Sequence, residues 1–166
     1  MKNFFLILTV SMFMISCTQV SDNHIEKTEN HFGTIEVGDA KSLAMDAFND
    51  AYVANDMSGQ EELFAENAVA NVNGQETTPA AMMEGFLQGH NFYSDIQNSE
   101  RVTGTFVLDN GEIYTNTWFD WTGTSNATGK TVSSPVQASF KWENDKVVEV
   151  NYLYNSHDYI MNMGAE

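Results

Sequence analysis

Cysteine, basic residues and long apolar runs are all scarce in this chain, and each scarcity excludes something. The 166 residues contain one cysteine, Cys17, so neither an intramolecular disulfide nor a cysteine-based metal site can form. Lysine and arginine together number 7 against 23 aspartates and glutamates, for a formal net charge of −16. Such a chain repels nucleic acid and anionic lipid headgroups, so no nucleic-acid partner is expected. The acidity itself reads as a solubilising surface. A Gly-x-Gly-x-x-Gly loop, a phosphate loop, a Gly-x-Ser-x-Gly elbow and the His-x-His and His-Glu-x-x-His pairs are all absent. No cofactor and no metal are therefore expected.

The longest apolar run, Phe4 to Ile15, is broken only by Thr9 and Ser11. It is too short to span a bilayer comfortably and has the length of a signal-peptide core, with Lys2 as the positive residue before it. The run ends in Met14-Ile15-Ser16-Cys17, which resembles the bacterial lipobox, although Met14 stands where leucine is usual. The resemblance implies cleavage after residue 16 and acylation of Cys17. Acyl chains bury many methylenes at about 0.8 kcal/mol each, enough to hold a protein at a membrane without a transmembrane helix. The expected address is the cell envelope, on the periplasmic or cell-surface side. Residues 17–38 read as the lipidated cysteine and a polar tether; His24 and His31 within it are assigned no metal.

Residues 39–166 are one domain's worth of chain. Leu43, Ala44, Ala47, Phe48, Ala51 and Tyr52 recur at helical spacing, with Asp39 as the cap. A short helix is expected over Gly59–Ala65, a brief strand over Ala68–Val72, and a hairpin turn at Asn73-Gly74. Thr78 and Pro79 open a third helix that frays at Gly89-His90. Four strands follow, at about 97–108, 111–124, 131–143 and 146–155, joined by tight turns at Asp109-Asn-Gly111 and Asn144-Asp145 and a polar loop between. Helices first and a meander second give an α+β class, with helices over one face of a curved antiparallel sheet.

The order of elements and several local strings resemble the SnoaL-like branch of the nuclear transport factor 2-like superfamily. The strings are Leu63-Phe-Ala-Glu-Asn-Ala-Val69, Trp118-x-x-Trp-x-Gly-Thr124 with Gly129, and Lys146-Val-Val-Glu149. The resemblance implies a cone-shaped, cystatin-like fold: a strongly bent antiparallel sheet wrapped around three N-terminal helices, with a pocket at the wide end. It also implies pairing of two copies through the outer sheet face. The family includes isomerases, cyclases and dehydratases as well as non-enzymatic binding modules, so the fold alone does not give a function.

Asp120, between Trp118 and Trp121, is the foremost candidate for catalysis. An acid in an aromatic wall loses solvation and its pKa rises toward a value useful for proton transfer. On a strand, Trp118 and Asp120 point one way while Phe119 and Trp121 point the other, so the facing of Asp120 decides its use. The epoxide-hydrolase relatives carry an Arg-x-Asp pair here; Trp118-x-Asp120 lacks the arginine. Asn155 stands where many members have an aspartate, and it can orient a ligand but cannot take a proton. His90 is a candidate base, and Tyr93 a candidate donor, near the expected pocket mouth. His157 and Asp158 serve only if the register slips. Tyr52, Tyr93, Trp118 and Asn155 are the candidate ligand contacts, and the many methionines and aromatics suit an adaptable apolar pocket.

The expected function is thus binding of a small, partly apolar molecule in the cone by a membrane-anchored domain. The alternatives are a cofactor-free isomerase, cyclase or dehydratase using Asp120 as acid or base, and a dimeric scaffold whose cone is filled by its own side chains.

Overall fold

A computed structural model describes residues 33–164. Cys17, the apolar N-terminal run and the tether as far as residue 32 lie outside the described residues. The architecture is α+β, as expected, and a single seven-stranded sheet organises it.

The expected tether ends earlier than its composition suggests. Gly33–Glu36 forms a strand, β1, antiparallel to the far end of β4 (Tyr93–Leu108). Gly33 takes φ +140°, and a Cβ there would collide with the Val107 carbonyl, so the close approach of the two backbones requires glycine. Helix α1 (Ala40–Val53) follows, then a 3-10 turn at Gln60–Leu63, where a longer helix was expected. Strands β2 (Phe64–Val72) and β3 (Gln75–Thr77) are joined by Asn73 and Gly74, both at positive φ as a tight hairpin demands. Helix α2 is Pro79–Gly89, with the Thr78 hydroxyl accepting from Ala81 N at 3.2 Å.

The long strands β4, β5 (Ile113–Ser125), β6 (Thr131–Glu143) and β7 (Lys146–Tyr154) form the expected meander. The sheet order is β1-β4-β5-β6-β7-β2-β3. It is mixed and not wholly antiparallel, because β2 runs parallel to β7. Helix α2 and three strands of the meander lie between β2 and β7, a connection long enough for β7 to return parallel to β2. Two register shifts interrupt β4, between Ser94 and Gln97 and between Ser99 and Val102, with Asp95 and Glu100 at positive φ. Bulges of this kind bend a strand and increase its twist.

The inner sheet face is covered mainly by α1, and the stripe that α1 buries differs from the expected one. Ser42, Met45, Phe48 and Asn49 are buried, whereas Leu43 is 57% exposed. Two polar residues enter the interface because each bonds to a carbonyl of its own helix or cap. Ser42 Oγ donates to Asp39 O at 3.0 Å, and Asn49 Nδ2 donates to Met45 O at 2.9 Å. Beneath them the core holds Phe48 edge-on to Phe64 and Phe140, with Val147, Val150 and Ala138 fully buried.

At its N-terminus α1 is locked to the sheet by polar bonds. Asp39 Oδ1 accepts from Lys41 N at 2.9 Å, from Ser42 N at 3.3 Å and from Thr105 Oγ1 at 3.1 Å. Thr105 meets Thr115 across the sheet at 3.0 Å, and Trp142 Nε1 donates to Thr115 at 2.9 Å. Arg101 pairs with Asp46 and Asp50 further along the helix. An unexpected third helix, α3 (His157–Asn162), closes the chain.

Burial raises the Asp39 pKa, but the hydrogen bonds from Ser42, Thr105 and the Lys41 and Ser42 amides outweigh it and hold the carboxyl below its usual 3.8. A depressed carboxyl pKa stabilises the fold above pH 3.8, and the contribution is lost as pH falls through the folded value. Asp39→Ala should therefore lower unfolding stability by about 1 kcal/mol at neutral pH, as for loss of a helix cap. In urea titrations the gap between wild type and variant should narrow below pH 3.8. A gap that persists undiminished in acid would show that the charge of Asp39 plays no part.

Candidate functional site

A cavity of about 370 Å³ opens between α1, α2, the inner sheet face and α3. Packed interiors hold few voids larger than a water molecule, so a space of this size is a pocket and not a packing defect. Ligand sites typically measure about 300–1,000 Å³.

Each wall follows from local structure. Helix α1 contributes Asn49 and Tyr52, three residues apart and therefore on one face. Helix α2 contributes Met82, Gly85 and Phe86, the last edge-on to Tyr52 and Tyr152. Strand alternation sends Phe119 and Trp121 of β5, Ser134 and Val136 of β6 and Tyr152 of β7 to the inside. Gly123 is inward next to Trp121, and a Cβ there would lie 2.7 Å from the indole, so glycine makes room for the ring.

The roof comes from α3 and the residue that follows it, which supply Tyr159 and Met163. Tyr93 supports it from behind: its ring stacks on Tyr159 with centroids 4.8 Å apart, and its hydroxyl donates to Tyr159 O at 2.5 Å. Ser125 Oγ donates to Asn162 O at 2.6 Å, tying the helix to the end of β5.

The wall is aromatic with neutral polar groups. Trp121 Nε1 donates to the Tyr52 hydroxyl at 2.8 Å. Ser134 Oγ donates to Asn155 O at 3.0 Å. Burial pushes the Tyr52 and Tyr152 phenols well above the usual 10; for Tyr52 the Trp121 bond acts against the shift without cancelling it. Burial likewise raises Tyr154, and raises Tyr159 to about 12. Among the described residues, no carboxylate, imidazole, amine or thiol lines the cavity. Nor does any cluster of three or more His, Cys, Asp or Glu among them suit a metal ion. The site can enclose a flat apolar body and exchange hydrogen bonds with it, but it offers no group that gains or loses a proton near neutrality.

The SnoaL-like domain family matches residues 45–150. The chain belongs to the SnoaL-like family. No curated protein matches it. Solved structures share its fold at low identity. A candidate polyketide cyclase from Xanthomonas campestris pv. campestris is 20% identical at TM-score 0.58, over 74% of this chain and 95% of that one. IdmH of Streptomyces antibioticus, described as a candidate polyketide cyclase, is 14% identical at TM-score 0.58, over 76% and 100%. A nuclear transport factor 2-like protein from Anabaena variabilis is 16% identical at TM-score 0.54, over 69% and 85%.

This SnoaL-like domain brings only some of the sequence-predicted site residues together. Tyr52 and Asn155 line the cavity. Asn155 also starts α3, its Oδ1 accepting from His157 N at 3.0 Å. Asp120 does not reach the pocket. It is exposed on the outer sheet face with Trp118, in a shallow groove shared with Pro135, Gln137 and Leu153. The cause is the period of β5: Trp121 fills the wall, so its neighbour must face away. The aromatic wall expected around Asp120 is therefore formed without it.

His90 caps a helix. Its Nε2 lies 2.9 Å from Tyr52 O, near the end of α1, and a carbonyl only accepts, so that nitrogen carries the proton. Neither it nor Tyr93 lines the cavity, although Tyr93 supports the roof. His157 and Asp158 are exposed on α3.

Asn49, Phe86, Tyr154 and Tyr159 were not among the predicted contacts. Asn49 was hidden because an amide in a helix face reads as solvent-facing. Tyr159 was hidden because the terminal segment reads as an extension of the last strand. The alternation that assigns Trp121 to the wall was legible, and only its direction was open.

Tyr52→Phe removes the acceptor for the Trp121 N–H inside the wall. An unpaired buried donor costs about 1–3 kcal/mol, so the variant should lose stability in that range in urea denaturation, with a shift in tryptophan emission. Unchanged stability and emission would mean that the indole has another acceptor.

Proposed function

We propose that this SnoaL-like domain binds a small, neutral, largely planar molecule in its cavity and does not catalyse a reaction there. The observation that carries this reading is the composition of the wall: aromatic faces for stacking, neutral donors and acceptors for orientation, and Asp120 outside. Aromatic pairs add about 0.5–1.5 kcal/mol beyond burial of area, so a flat ring system gains most from such a wall. An ionised ligand would lose its hydration without gaining a countercharge, which excludes it energetically. The open cavity counts against a scaffold filled by its own side chains. The names of several relatives keep the cyclase and isomerase chemistries as alternatives, but those reactions need a proton acceptor that this wall lacks.

The test is calorimetric titration with a neutral planar ketone, fluorenone. The expected outcome is saturable binding that quenches tryptophan emission, with affinity constant from about pH 5 to 9, because the lining phenols stay protonated above their ordinary pKa. Asp120→Asn should leave affinity unchanged. A bell-shaped pH profile, or loss of binding in Asp120→Asn, would return the reading to acid–base chemistry.

We further propose that acylated Cys17 holds the domain at a bacterial membrane, on its periplasmic or cell-surface side, on the strength of the apolar run and the single cysteine that ends it. No described helix is long and apolar enough to cross a membrane. Cys17→Ala, or inhibition of lipoprotein signal peptidase with globomycin, should shift the protein out of its normal membrane-bound form, the variant into the soluble fraction. Unchanged fractionation and unchanged mass in both experiments would sink the assignment.

A further inference from the structure

The polar groups on α1 are arranged to read one edge of the ligand, and this inference rests on the binding function proposed above. Asn49 is 2% exposed, and its amide nitrogen donates to Met45 O at 2.9 Å. Because a carbonyl can only accept, the nitrogen end is committed to the helix and Oδ1 is the free end. That oxygen has no partner among the described residues. It is also not sealed: only Asp39 Oδ2 and the Asn98 amide atoms are both unpaired and shut from solvent there. The open space that Asn49 lines is the cavity, so an acceptor faces the ligand.

Tyr52 presents the opposite polarity. Its oxygen already accepts from Trp121 Nε1 at 2.8 Å, and its own proton has no acceptor among the described residues. The indole can only donate, which turns the phenol into a donor toward the cavity. Asn49 and Tyr52 are three residues apart on α1, where side chains on one face sit about 5–6 Å apart at Cβ. An acceptor and a donor therefore border the cavity from the same face of α1.

We propose that the cavity selects a planar ligand that carries both a hydrogen-bond donor and a carbonyl, as a cyclic amide does, with its N–H on Asn49 Oδ1 and its C=O within reach of the Tyr52 hydroxyl. The fold alone has no use for the arrangement. An asparagine in the middle of a helix lowers helix propensity, and once an apolar body fills the cavity and excludes water, an unpaired amide oxygen there is costly. A leucine at this position would pack against the same neighbours without either cost. A ligand donor removes the penalty, and a ligand lacking the donor leaves it in place, which is how buried polar groups discriminate between near-isosteres.

The test compares phenanthridinone, a three-ring cyclic amide, with its N-methyl derivative and with fluorenone, by calorimetry on the intact protein. Phenanthridinone should bind at least tenfold tighter than the N-methyl compound, which corresponds to about 1.4 kcal/mol. In Asn49→Leu that ratio should fall to about one. In Tyr52→Phe both amides should weaken while the ratio is kept. Should fluorenone bind but the two amides bind equally to the wild type, the edge assignment is wrong and the binding function stands. A tenfold ratio that persists in Asn49→Leu also overturns the assignment, since the donor is then met elsewhere. If none of the three binds, the binding function fails and this inference with it.

Discussion

The register of β5 is the constraint on which the rest of the molecule depends. Thr115, Thr117, Phe119, Trp121 and Ser125 are buried along one face, and Gly123 lies among them. A shift by one residue would turn every one of these outward. The strand is paired along nearly its whole length on both sides, to β4 and to β6, so no local adjustment can free a single side chain. Once Trp121 is inside, Asp120 and Trp118 are outside, and the chemistry open to the cavity is settled by geometry and not by which residue types the chain contains.

Along that same face the interior changes character. Toward α1's N-terminus the inward positions are threonines, and they form a hydrogen-bonded ladder with Asp39 and Trp142. Toward the other end they are aromatic and border the cavity. A satisfied polar network specifies one arrangement of helix on sheet, because any other leaves buried groups unpaired. The ladder thus positions α1, and α1 positions Asn49 and Tyr52. The bonds that orient the helix lie away from the cavity, which leaves the cavity wall free to serve a ligand.

The electrostatics divide in the same way. The chain is strongly acidic, yet the carboxylates of the described residues lie outside the cavity, some paired with lysine or arginine, as Glu112 is with Lys141 and Asp46 with Arg101. The cavity holds phenols whose pKa values burial drives upward, so its hydrogen-bonding pattern does not change across the physiological range. A site of this kind distinguishes ligands by shape and by the order of donors and acceptors along an edge.

The sequence by itself determined the class, the order of the elements, most of the turns and the caps of both long helices. Those depend on local chemistry: Asp39 and Thr78 bond to amides two or three residues away, and Asn73-Gly74 and Asn144-Asp145 adopt positive φ in the turns between strands. It also determined that Asp120 and Trp121 must face opposite ways. Only the tertiary structure decided which of them faces in, which stripe α1 buries, that β2 joins β7 in parallel, and that the terminal segment folds back as a roof. Each of these turns on contacts between residues distant in the chain. Leu43 is left outside because Ser42, Met45, Phe48 and Asn49 form the stripe that meets the sheet. Asp120 is left outside because Trp121 packs against Tyr93 and Tyr159 and its N–H bonds to the Tyr52 hydroxyl, all on other elements.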